Sequence, residues 1–206
     1  MNLLEHLNRK PIFKRWLPAF GIFEREVRRF YAVPAQTLLG PLGSALIYFG
    51  LFGLSLGRIM DQTPQQITLG FSYVTFLIPG IMAMEVVNAS IQNPMSSLMI
   101  AKWSGTLIDI LMAPLTPFAL WLSYIAGAFV RALVVALSVL IAGMLCSKYI
   151  PHINFPLILY SSLVSGGIFA SLGLILGVVC SSWDQIGMIL SFIIQPLVFF
   201  SGVFFS

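Results

Sequence analysis

The apolar residues of this chain gather into long runs. A scan for stretches of about 20 such residues, the length that crosses a bilayer core, predicts five spans. They run from Pro34 to Gly57, Phe71 to Asn93, Phe118 to Cys146, Phe155 to Cys180 and Ile186 to Ser206. The third, at 29 residues, must tilt or protrude. Connections at 58–70, 94–117 and 147–154, and a tight turn at 181–185, separate them. The predicted fold class is all-α, a polytopic transmembrane helical bundle forming one domain over residues 1–206.

Two shorter segments carry a different pattern. Before the first span, Phe20, Phe23, Val27 and Phe30 recur at helical spacing, while Glu24, Arg25, Arg28 and Arg29 occupy other faces. Glu24 and Arg28 stand in the favourable i, i+4 order. Residues 1–33 thus read as a cytoplasmic basic segment with an amphipathic helix in the headgroup plane. Continuation of the first spanning helix is the rival, and Pro34 argues against it. The second segment lies between the second and third spans. Thr106 followed by Asp109 fits a capping box and Pro114 forbids continuation, which brackets a two-turn helix. Leu107, Ile108, Leu111 and Met112 are expected on one face, open to the lipid surface or to a cytoplasmic partner.

Composition excludes the other classes. Of 206 residues, 58% are apolar and 9% charged, against roughly 25% charged in a soluble domain. Disorder needs the opposite balance. Seven of the eleven Lys and Arg precede residue 30. They abut an apolar span, which reads as an orientation signal with lipid contact and not as a nucleic-acid site. With the N-terminus in the cytoplasm, Lys102 brings the inside count to eight, against Arg58 and Lys148 outside. A cytoplasmic N-terminus is expected. The fourth span is rich in small residues, with Ser162, Gly166 and Ala170 four apart and Gly173 and Gly177 forming a G-x-x-x-G. Such stripes let helices approach closely; packing within the chain is preferred to a dimer seam.

Catalytic chemistry finds no foothold. The sequence has no G-x-x-x-x-G-K-[ST] phosphate loop, no H-E-x-x-H and no Cys/His cluster. His6 and His152 lie in the N-terminal segment and an outer loop. Cys146 and Cys180 fall on opposite membrane faces, too far apart for a disulfide. No catalytic residue, cofactor or metal site is expected. Two ionisable groups do sit within spans, Glu85 and Arg131. Intramembrane charges are costly and point to function or pairing; an intramembrane Glu85–Arg131 salt bridge is preferred to a role in the substrate path.

The run Ser104-Gly105-Thr106-Leu107 through Leu111 and Pro114, followed by Gly127 to Arg131, resembles the permease subunits of ABC type-2 exporters. So do Phe76 to Met82 and Ser201 to Phe205. The likeness covers nearly the whole chain. It implies that the helix after the second span is the coupling helix touching a separate ABC ATPase subunit, through Ser104, Gly105, Thr106, Leu107, Ile108, Asp109, Leu111 and Met112. It also implies a second permease copy as partner, export across the cell membrane (a bacterial inner membrane) and ATP hydrolysis in the partner subunit. The family has a sixth span after an outer re-entrant segment, so a chain shortened at its C-terminus is expected. Two rivals from other classes are a proton-coupled secondary transporter using Glu85 and Arg131, and a purely structural scaffold. The first lacks inverted internal symmetry.

Overall fold

Segments too apolar for water, with no lipid partner for their backbone N–H and C=O groups, have one local solution in a single chain, the helix. A computed structural model describes residues 12–32, 34–55, 57, 73–147 and 154–200. Their elements are α1 (Ile12–Ala32), α2 (Pro34–Ser55), α3 (Tyr73–Trp103), α4 (Leu107–Met112), α5 (Pro117–Cys146) and α6 (Phe155–Val179). A last rod comprises α7 (Trp183–Ile189), a π-helical stretch (Leu190–Ile194) and α8 (Gln195–Phe200). The expected outer loop at 58–70, with Arg58, lies outside the described residues. So do His6, Arg9, Lys10, Lys148, His152 and the Ser201–Phe205 run.

The axis of the bundle is α3. Its Leu77, Ile78, Ile81, Ile91, Met95 and Met99 are fully buried, and α5 and α6 pack along it, with α2 beside both α3 and α5. The chain runs antiparallel from α3 to α5. Thr75 near the start of α3 lies 2.7 Å, Oγ1 to Oγ, from Ser147 just past the end of α5. The small residues of α6 face α3: Ser162, Gly166, Ala170, Gly173 and Gly177 are all buried. At Gly173 a Cβ would stand 2.3 Å from the Ile91 carbonyl oxygen, so the two backbones are in contact there. The stripe therefore serves packing within the chain. The opposite face of α6, including Leu163, Ile168 and Ile175, is exposed, as a lipid-facing surface is.

Three expectations change. Five spans were expected; among the described residues three helices, Tyr73–Trp103, Pro117–Cys146 and Pro156–Val179, are long and apolar enough to cross a membrane. A fourth appears only if the pair Leu17–Ala32 and Thr37–Gly53, bent by 61°, is one broken span. The last rod, over Trp183–Phe199, is a shorter apolar helix among the described residues. Second, α3 does not stop at Asn93. It continues through Pro94 to Trp103, because Asn93 and Ser97, which look like loop residues in sequence, are buried against neighbouring helices.

Third, α1 does not present a simple apolar face to its surroundings. Phe20 is exposed, whereas Ala19, Glu26 and Phe30 are buried and α1 packs on α5. The Ser123 hydroxyl of α5 donates to the Ala19 carbonyl at 2.9 Å. The Glu24–Arg28 pair forms as expected, at 2.6 Å on the exposed side.

Candidate functional site

The most concentrated chemistry lies where α1 crosses α3 and α5. Glu26 has no side-chain exposure and is surrounded by donors. Its Oε1 accepts from Ser97 Oγ at 2.5 Å and from Arg25 Nη2 at 3.1 Å. Its Oε2 stands 3.4 Å from Arg29 Nη2, an ion-pair separation. The same Arg25 nitrogen donates to the Tyr124 hydroxyl at 3.1 Å. Arg29 reaches across to α3, donating to the Asn93 carbonyl at 2.7 Å, Asn93 Oδ1 at 3.0 Å and Ser96 Oγ at 3.3 Å. Arg131 of α5 donates to the same Asn93 Oδ1 at 3.4 Å. Glycine makes the crossing possible: a Cβ at Gly127 would lie 2.7 Å from Glu26 Cβ. Sequence reading singled out Arg131 and the Gly127–Arg131 stretch but missed Glu26. The signal was available, because Ala19, Glu26 and Phe30, spaced seven and four apart, share one helical face.

The expected Glu85–Arg131 ion pair is not formed. Glu85 accepts from Ser44 Oγ of α2 at 2.5 Å, and Arg131 binds Asn93. The ion pairs among the described residues are Arg25–Glu26, Arg28–Glu24 and Arg29–Glu26. Register explains the difference. Asn93 marks the level of Arg131 on α3, and Glu85 lies eight residues away along the same helix, roughly 12 Å at the helical rise. Taking Asn93 as the end of the span set the two charges at the wrong relative depth.

At the end of the bundle where α3 leads into α5, the chain turns through Gly105, whose φ of +74° is a conformation few other residues adopt. Six residues of α4 follow. The expected capping box is not made. Thr106 already has helical dihedrals and no capping hydrogen bond, since a cap needs extended backbone at that position; its hydroxyl instead lies 2.9 Å from Ser104 Oγ. The true cap belongs to α5, where Thr116 Oγ1 accepts from the Ala119 amide at 3.3 Å and Pro117 takes the first helical position. In α4 the buried anchor is Ile110, a residue outside the expected contact set, with Leu107 half-buried beside it. Ile108, Leu111 and Met112 are 67%, 67% and 79% exposed, and Asp109, Ser104, Gly105 and Thr106 are exposed with them. Lys102, half-buried, is turned toward α6: its Nζ donates to the Val178 and Cys180 carbonyls at 2.7 and 2.8 Å, closing the end of that helix.

Among the described residues no group of three or more His, Cys, Asp or Glu gathers as a metal site would require. Comparison with known proteins gives a consistent result. Residues 19–206 match the family model described as ABC-2 type transporter. The chain is 29% identical over 192 residues to the inner membrane transport permease YadH of Escherichia coli (strain K12), covering 93% of this chain and 72% of that protein. The YadH of Shigella flexneri matches to the same extent. No solved structure gives a significant match. An apolar helical bundle matched by that family's pattern from Ala19 onward leaves one assignment: the chain belongs to the ABC-2 type transporter family.

Proposed function

We propose that this permease works as the membrane subunit of an ATP-driven exporter in a bacterial inner membrane, paired with a second copy of itself and with a separate ABC ATPase subunit. In this reading α4 is the element the ATPase holds. The observation that carries it is the division of α4 into two faces. Ile110 ties the helix to the bundle, while Ile108, Leu111 and Met112 leave an apolar surface beyond the end of α3. Exposed apolar clusters of this kind mark contact surfaces. Lipid is the weaker occupant: Lys102, the cation nearest α4, is committed to the α6 carbonyls, and Asp109 repels anionic headgroups. The proton-driven alternative loses its support, since Glu85 and Arg131 have separate partners and form no relay.

Leu111→Asp and Ile108→Asp test the reading. Each is expected to weaken copurification of the coexpressed ATPase about thirtyfold, the scale of losing one interfacial hot spot, while expression and detergent stability stay at wild-type levels. Undiminished copurification in both variants rejects α4 as the contact.

Orientation is tested separately. The cation bias supports a cytoplasmic side for α1 and α4. With Cys146 and Cys180 replaced by serine, a cysteine introduced at Trp103, which is exposed, is expected to resist a membrane-impermeant maleimide in intact cells and to react in inverted vesicles. The reverse pattern places α4 outside and removes the ATPase contact with it.

A further inference from the structure

The polar cluster between α1, α3 and α5 opens into a cavity of about 420 Å³. Arg29, Asn93, Ser96 and Arg131, with Thr37 and Gln92, form its polar side. Phe30, Ile100, Ile186 and Leu190 are among its apolar lining, and Trp183 and Gly187 of α7 also line it. Three features of the lining remain unexplained by packing. The cluster holds three guanidiniums (Arg25, Arg29 and Arg131) and a single carboxylate, Glu26, which serves Arg25 and Arg29. Arginine keeps its charge, so the cluster carries surplus positive charge. Arg131 is tied to the protein only through Asn93, and its buried Nε has no hydrogen-bond partner. Asn93 is itself 1% exposed. Arg29 and Arg131 both donate to its Oδ1, which fixes the amide, and its buried Nδ2 is left unpaired. Asp184, the acidic residue of α7, is exposed and not among the lining residues.

Buried charge without a counterion is costly, and so is a buried donor without an acceptor. An anion with several oxygens in the cavity answers the surplus charge of Arg29 and Arg131, and guanidinium pairs suit phosphate geometry. We propose that this cavity binds a phosphate-class anionic headgroup, held by Arg131 and Arg29, with its attached chain along the apolar wall of Phe30, Ile186 and Leu190. The chemistry is that of a phosphomonoester or phosphodiester. Its source is a lipid-borne phosphate or a free one, and the experiment separates them. The site concerns the permease alone and holds whether or not α4 is the ATPase contact.

The full chain is reconstituted in nanodiscs of phosphatidylcholine containing a minor fraction of phosphatidylglycerol. Lipid retained on release into the gas phase is counted by native mass spectrometry, with inorganic phosphate as competitor. Wild type is expected to retain phosphatidylglycerol about tenfold over phosphatidylcholine, the scale of one charge-assisted bidentate contact. Arg131→Gln is expected to abolish that preference and Arg131→Lys to keep part of it. Gly187→Phe provides a second test that touches no charge: Gly187 lines the cavity and a Cβ there meets nothing within 4 Å. Its ring is expected to fill the space and displace the lipid even if Arg131→Gln fails to fold. Competition by millimolar phosphate supports the site and makes the free anion a sufficient ligand; retention without competition supports a lipid-borne one. Equal retention of both lipids by wild type with no phosphate effect overturns the proposal. So does an unchanged preference in Gly187→Phe.

Discussion

Glu26→Gln is expected to cost the permease about 3–5 kcal/mol, the usual loss when one partner is removed from a buried ion pair. The replacement keeps the shape of the side chain and can still meet Ser97, so cavity formation contributes little. What it removes is the only carboxylate among Arg25, Arg29 and Arg131. Three guanidiniums would then share a space that one negative charge now relieves. The expected consequence is detachment of α1 from α5, because the Glu26 contacts lie at the closest point of the crossing, opposite Gly127. Glu24→Gln provides the comparison. Glu24 pairs with an Arg28 side chain that is 80% exposed, and exposed pairs of this type contribute little. Thermal unfolding in detergent should separate the two variants clearly. Equal midpoints would mean that Glu26 is dispensable and that the guanidiniums are neutralised by something else.

Gly173→Ala is expected to disrupt the bundle more than any other single methyl group. The added carbon would lie 2.3 Å from a backbone oxygen and 3.0 Å from two backbone carbons of Ile91. A side chain could rotate away from such a contact, but a helix backbone must translate. Overpacking of this type costs about 1–3 kcal/mol or more, and here the whole α3–α6 interface would have to part. Gly167→Ala on the same helix adds the same methyl group where nothing lies within 4 Å. It should be neutral or mildly stabilising, since alanine is the better helix former. Comparable stability of the two variants, measured by denaturant titration of reconstituted protein, would remove Gly173 from the packing argument.

The bundle was legible in the sequence because lipid imposes one rule on every spanning segment, and the boundaries of α5 and α6 follow the apolar runs within a residue or two. The small-residue stripe of α6 was legible for a related reason, as spacing alone places Ser162, Gly166 and Ala170 on one face. Legibility ended where polar residues are buried. Asn93 and Ser97 look like a loop until α1 is seen to cover them, and the real end of α3 therefore stayed hidden. The same blindness misassigned the charges. Glu85 and Arg131 stood out as ions inside apolar runs, whereas Glu26, more deeply buried than either, sat unnoticed among the cations of a segment assigned to the membrane surface. Ile110 was missed because α4 is only six residues long, and in so short a helix periodicity does not tell the anchoring face from the open one.

The lysine at the end of α3 has a mechanical meaning. Through Gly105 and the short connection to Pro117, α4 is joined covalently to α3 and α5. The Lys102 ammonium ties the end of α3 to α6 as well, because it grips a carbonyl in the last turn of α6 and that of the residue that leads into α7. A load applied to α4 is thus not confined to its two flanking helices. It has a path from the end of α3 to α6 and, through Cys180, to the rod that begins at Trp183. That rod forms one wall of the cationic cavity. Lys102 is thus a tie-rod that supplements the packed α3–α6 interface in joining the α4 end of the bundle to the cavity wall.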